Sequence, residues 1–143
     1  MQRELILQEF EDVKKSIALL KTSVKKFKSY DAKKIYTPDE LEPYDSLSFR
    51  FEKSLEVILS FFKGLEIYLY SKSSDTLRDR LLKIQKLNLI DDVDFWMQAR
   101  LLRNRIAHSY LPEQIKDIYE EIIIKSKIIF ELEKNIKKYF KEK

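Results

Sequence analysis

Apolar residues recur along this chain at alternating intervals of four and three. Ile6, Phe10, Val13, Ile17, Leu20, Val24 and Phe27 form one such row. The spacing predicts a helix from about Arg3 to Tyr30 that packs along a neighbour at a shallow angle. Lys14, Lys15, Lys21, Lys25 and Lys26 fall off the row and are expected in solvent. A second row, Leu47, Phe51, Leu55, Ile58, Phe62, Leu65 and Leu69, predicts a helix over about Ser46 to Ser71. Val57, Phe61, Ile67 and Tyr68 give that helix a second apolar side, as expected of a central helix packed by several neighbours or by another subunit. Gly64 in its interior costs about 1 kcal/mol relative to Ala, so a close helix approach is expected there.

Between these rows, Asp31 to Asp45 reads as a loop. It holds Pro38 and Pro43, and Thr37-Pro38-Asp39-Glu40 is suited to start a helical turn. Ser74-Asp75 is expected to cap a short helix over Thr76 to Leu87, with Leu77, Leu81 and Ile84 inward. Asn88 to Ile90 reads as a turn, and Asp91-Asp92 opens a fourth helix through Phe95, Trp96, Ala99, Leu102 and Ile106. Pro112 stops that helix and begins a fifth, which carries Ile115, Ile118, Ile122, Ile129, Leu132 and Ile136 and is expected to fray in its Lys-rich tail. The expected fold class is all-α, an up-and-down bundle of four to five helices, in one domain spanning residues 1–143.

Composition sharpens this picture. One Gly and three Pro in 143 residues leave little turn chemistry for a β-rich fold. With no Cys and one His, neither a disulfide framework nor a multi-histidine metal site can form within one chain. No cofactor and no metal are expected. The charged N-terminus lacks the apolar core of a signal peptide, and no apolar run approaches a membrane span, so a cytoplasmic protein is the expectation. Net charge is +4, a mild lean toward anionic partners that by itself does not point to nucleic acid.

One segment is chemically marked. Helix four ends in Arg103-Asn104-Arg105-Ile106-Ala107-His108-Ser109-Tyr110. At about 100° per residue, Asn104 and His108 share a face, while Arg103 starts about 140° from His108. Arg, Asn and His at a helix end can handle an anion. The bland reading is that His108 only caps the helix and that Arg100, Arg103 and Arg105 decorate a surface.

Arg103-Asn104, three residues, then His108 resembles the signature of HEPN domains, a helical-bundle family rich in RNases. Tyr110 extends the match to the Arg-x4-His-x-Tyr form of HepT-like toxins, which pair with MntA-like minimal nucleotidyltransferase antitoxins. Arg50-Phe51-Glu52 and the Ile-rich last helix also look like the related nucleotidyltransferase substrate-binding proteins. The resemblance covers about Asp45 to Phe140. It implies a homodimeric, metal-independent endoribonuclease toxin cutting RNA at a dimer-interface site, with an MntA-like partner. Under it, His108 transfers protons, Arg103 stabilises the phosphate and Asn104 orients His108 or the RNA. Arg100 and Arg105 are candidate RNA contacts, and Tyr110 is the candidate position for AMP attachment at the mouth of the cleft. The alternative is a non-catalytic subunit that docks a nucleotidyltransferase.

Overall fold

The computed structural model describes residues 2–142, and they form five helices: α1 (Gln2–Lys25), α2 (Pro38–Tyr70), α3 (Leu77–Lys86), α4 (Val93–His108) and α5 (Pro112–Glu142). No strand occurs among the described residues. α2 touches all four other helices, as its two apolar sides anticipate. Its neighbours run antiparallel or parallel in an up-and-down order. Ser54 donates to the Ser16 carbonyl at 3.2 Å and Arg50 to the Leu19 carbonyl at 3.2 Å, so α1 and α2 are antiparallel. Phe62 meets Trp96 and Tyr44 meets Tyr119, which sets α4 against α2 and α5 alongside it. No helix among the described residues is long and apolar enough to cross a membrane.

The buried side chains of all five helices join in one core, with Phe51, Phe61, Phe62 and Trp96 its largest members. Phe10, Phe61 and Phe140 cluster at one end. That cluster holds α5 in helix through its lysine-rich tail to Glu142, where fraying was expected. At the other end Tyr30, Tyr36, Tyr44 and Tyr119 pack ring on ring, and the Tyr44 hydroxyl donates to the Lys28 carbonyl at 2.7 Å. These four phenols pin the connection from α1 to α2 over the end of the bundle that carries the α4 C-terminus.

Helix boundaries differ from the sequence reading at identifiable places. α1 stops at Lys25, not Tyr30, because Phe27 and Tyr30 leave the helix to join the tyrosine cluster. α2 starts eight residues earlier than expected. Thr37 and Glu40 form a capping box, each side chain taking the other's backbone N–H. Burial of Tyr44 then carries the helix across Pro43, which lies inside it rather than in a loop. α3 is capped by Thr76 and not by Ser74-Asp75; Ser74 is drawn off to Glu66.

Gly64 is explained by a side chain of α1. A Cβ at that position would run into the Glu9 carboxylate, whose Oε2 is buried without a hydrogen-bond partner. Burial, and then the nearby Asp12, push the Glu9 carboxyl above its ordinary value. The obstacle is the tip of a flexible chain with solvent within reach. Gly64→Ala should therefore evict that carboxylate and keep the gain in helix propensity, about 0.5–1 kcal/mol. Thermal unfolding at neutral pH checks this; a loss of stability would mean that Glu9 cannot move.

Candidate functional site

The marked segment sits where α4 ends. Asp92 caps the helix by accepting from the Asp94 N–H at 2.9 Å. Val93, Trp96, Ala99 and Leu102 then turn inward, every third residue. That buried stripe forces Arg103, Asn104, Arg105, Ala107 and His108 outward over the last two turns. His108 is the last helical residue, as expected. Ser109 is extended, and its hydroxyl donates to the Arg105 carbonyl at 2.6 Å. The serine, not the histidine, therefore satisfies an open carbonyl of the helix end. Among the described residues, the side chains of Arg103, Asn104 and His108 make no hydrogen bond or ion pair, which removes the reading of His108 as a structural cap.

Asn104 and His108 do share a face. Together with Arg105, Ser109, Gln114 and Asp117 they line a concavity of about 490 Å³ between α4 and the first turns of α5. Arg103 is not in it. It lies on the α2 side of the helix, close enough to Glu52 to pull on that carboxyl electrostatically. Burial is the larger influence there and leaves Glu52 above its ordinary value despite Arg103, with Glu56 pushing the same way. Glu52 lines a second recess, about 340 Å³, with Ser48, Phe49, Ile106, Ser109 and Tyr119. Within one chain the ~140° offset between Arg103 and His108 is thus kept, and the two side chains address different recesses.

The other candidates fall as follows. Arg100 is exposed one turn before Arg103. Arg105 is engaged: its guanidinium pairs with Glu121 of α5 at 2.5 Å, and Glu121 also meets Lys125 at 3.5 Å. An RNA phosphate at Arg105 would have to displace that carboxylate. Tyr110 is 79% exposed and stands clear of both recesses, so it lies at the same end of the molecule but does not line the cleft mouth expected for it.

Two features of the site escaped the sequence reading. Asp117 and Glu121 face the motif from α5, and only the tight turn through Pro112 brings them there. Glu52 beside Arg103 is the other. Arg50, Phe51 and Glu52 point three ways: Arg50 to α1, Phe51 into the core and Glu52 toward α4. The tripeptide thereby ties the motif helix to the rest of the bundle. No three acidic, histidine or cysteine side chains among the described residues are grouped to hold a metal ion.

Residues 8–138 match the model of one protein family, described as nucleotidyltransferase substrate binding protein like. No curated protein and no solved structure matches the chain.

Proposed function

Because the chain belongs to the nucleotidyltransferase substrate binding protein like family, we propose that it works beside a nucleotidyltransferase and that the exposed end of α4 is its working site. In this reading the site is a metal-independent RNA-cleaving centre completed by a second copy, and the pair is a toxin and its antitoxin. The observation that carries it is the set of uncommitted side chains, Arg103, Asn104 and His108, held outward at a helix end with Tyr110 exposed two residues further on.

The chemistry fits those side chains. The ribose 2′-oxygen attacks the adjacent phosphorus, the bond to the 5′-oxygen breaks, and a cyclic phosphate and a free 5′-hydroxyl result. One group takes the 2′ proton and another gives a proton to the leaving oxygen. A cation must offset charge building on the phosphate. One chain has one His, and its Arg103 addresses a different recess. A homodimer supplies His108 twice and lets Arg103 of one copy serve a phosphate held by the other.

Control by the partner falls on Tyr110. Its phenol oxygen would attack the α-phosphate of ATP on the nucleotidyltransferase, releasing pyrophosphate and leaving an AMP ester. The added phosphate carries the charge an RNA phosphate would bring and competes for the same arginines. Incubation with the nucleotidyltransferase, ATP and magnesium should add AMP mass to Tyr110, none of it in Tyr110→Phe. Modification elsewhere, or full activity of the modified chain, contradicts the switch.

One observation favours a second reading, a non-catalytic subunit that docks the nucleotidyltransferase. Asp117 and Glu121 face the His108 recess, and carboxylates there oppose an RNA phosphate. RNA cleavage separates the two readings.

A further inference from the structure

α2 keeps one face that none of the other helices covers. Ser46, Phe49, Lys53, Glu56, Ser60 and Lys63 are all exposed, and they follow one another by three and four residues. That is the seam of a helix meant for a helical partner. Phe49 stands 66% exposed upon it. Beside the seam runs a groove of about 960 Å³ between α1 and α2, and the small side chain of Ser60 lines it.

The charges on the seam have an order. Asp45, Lys53, Glu56 and Lys63 read minus, plus, minus, plus, and none is ion-paired within the chain among the described residues. The outer two are equidistant from residue 54, and the inner two lie evenly about the gap between 54 and 55. Reversing the direction of the row about that midpoint exchanges every sign. A parallel copy would set like against like, and an antiparallel copy slipped by one heptad would set Lys53 against Lys63.

We infer that this face of α2 binds a second copy of the same chain, with the two α2 helices antiparallel about residues 54–55. Lys53 of each copy then lies opposite Glu56 of the other, and Asp45 opposite Lys63. Phe49 of each falls opposite Ser60 of the other and enters the groove there. Such an isologous contact is closed by its two-fold axis. It rests on no reading of the α4 site. The two α4 ends stand roughly 20 Å apart along the paired helices, at about 1.5 Å per residue, so a shared His108 cleft belongs to a different surface. The two contacts together build a tetramer.

Sedimentation equilibrium of the full chain tests the pairing, with circular dichroism to confirm that each variant folds. Phe49→Asp should weaken self-association about thirtyfold or more, as loss of a central aromatic anchor does. Lys53→Glu and Glu56→Lys should each weaken it about five- to tenfold, and the double exchange should recover most of the loss, since it restores opposite charges across the axis. A chain that stays monomeric at high micromolar concentration overturns the inference. So does an assembly unaffected by Phe49→Asp, or a double exchange no better than the single ones. Capture of a nucleotidyltransferase by the same face, with the chain alone monomeric, would overturn it as well.

Discussion

Glu66→Ala should lower stability by about 3–5 kcal/mol, the usual cost of removing one partner from a buried ion pair. Glu66 is fully buried. Its Oε1 accepts from the Ser74 N–H at 2.9 Å and from Arg80 Nε at 3.0 Å, while Oε2 accepts from the Ser74 hydroxyl and meets Lys83 Nζ at 3.1 Å. The carboxylate therefore fastens the end of α2, the connection after it and α3 together. Alanine would leave both cations and a backbone N–H facing a void. Burial alone would raise the carboxyl of Glu66, but the bonds from Ser74, Arg80 and Lys83 outweigh it and hold the group at about 2. A folded-state value below the unfolded one fixes the sign. The contribution is complete above the ordinary value of 4.5 and is lost as pH falls from there toward 2. Glu66→Gln should therefore be less stable than the parent at pH 7 and close the gap below pH 4. Urea unfolding across that window reads both effects, and equal stabilities at pH 7 would contradict the account.

That carboxylate also marks where sequence reading runs out. Leu55, Ile58, Phe62 and Leu65 were legible as an inward row, and they are buried. One residue on, the pattern inverts: Glu66 is buried while Ile67 and Leu69 are exposed, because α2 runs past the core there and α3 brings it cations instead of apolar cover. The same limit governs Pro43. A proline beside a loop reads as a break, and only the capping box at Thr37 and the packing of Tyr44 show that the helix continues through it. The α4 motif was legible down to the position of His108 and the angular offset of Arg103, since both follow from helix geometry. What faces those side chains comes from elements far away in sequence. Hence Glu52 beside Arg103, Asp117 beside His108 and the Arg105–Glu121 pair appear only in the folded chain.

The remaining large effect is on cleavage. His108→Ala should lower the rate of RNA cleavage about a hundredfold or more, the scale of a single acid–base group. Arg103→Ala should be similarly damaging, about a hundredfold, by loss of charge stabilisation at the phosphate. Neither change should disturb the fold, because both side chains are exposed and make no hydrogen bond or ion pair among the described residues. Their stabilities should match the parent within about 0.5 kcal/mol. Arg105→Ala should be milder, since Glu121 already holds that guanidinium. An equal mixture of His108→Ala and Arg103→Ala chains adds a test of sharing: if the groups act across two copies, mixed dimers regain part of the activity that each variant lacks alone.

The most direct measurement is cleavage of total tRNA and mRNA by the purified chain in EDTA, beside His108→Ala. The account predicts that the parent cuts RNA without added metal and that the variant, equally folded, does not. Intact RNA with both proteins, or the same cleavage by both, would contradict an RNA-cleaving site at the end of α4.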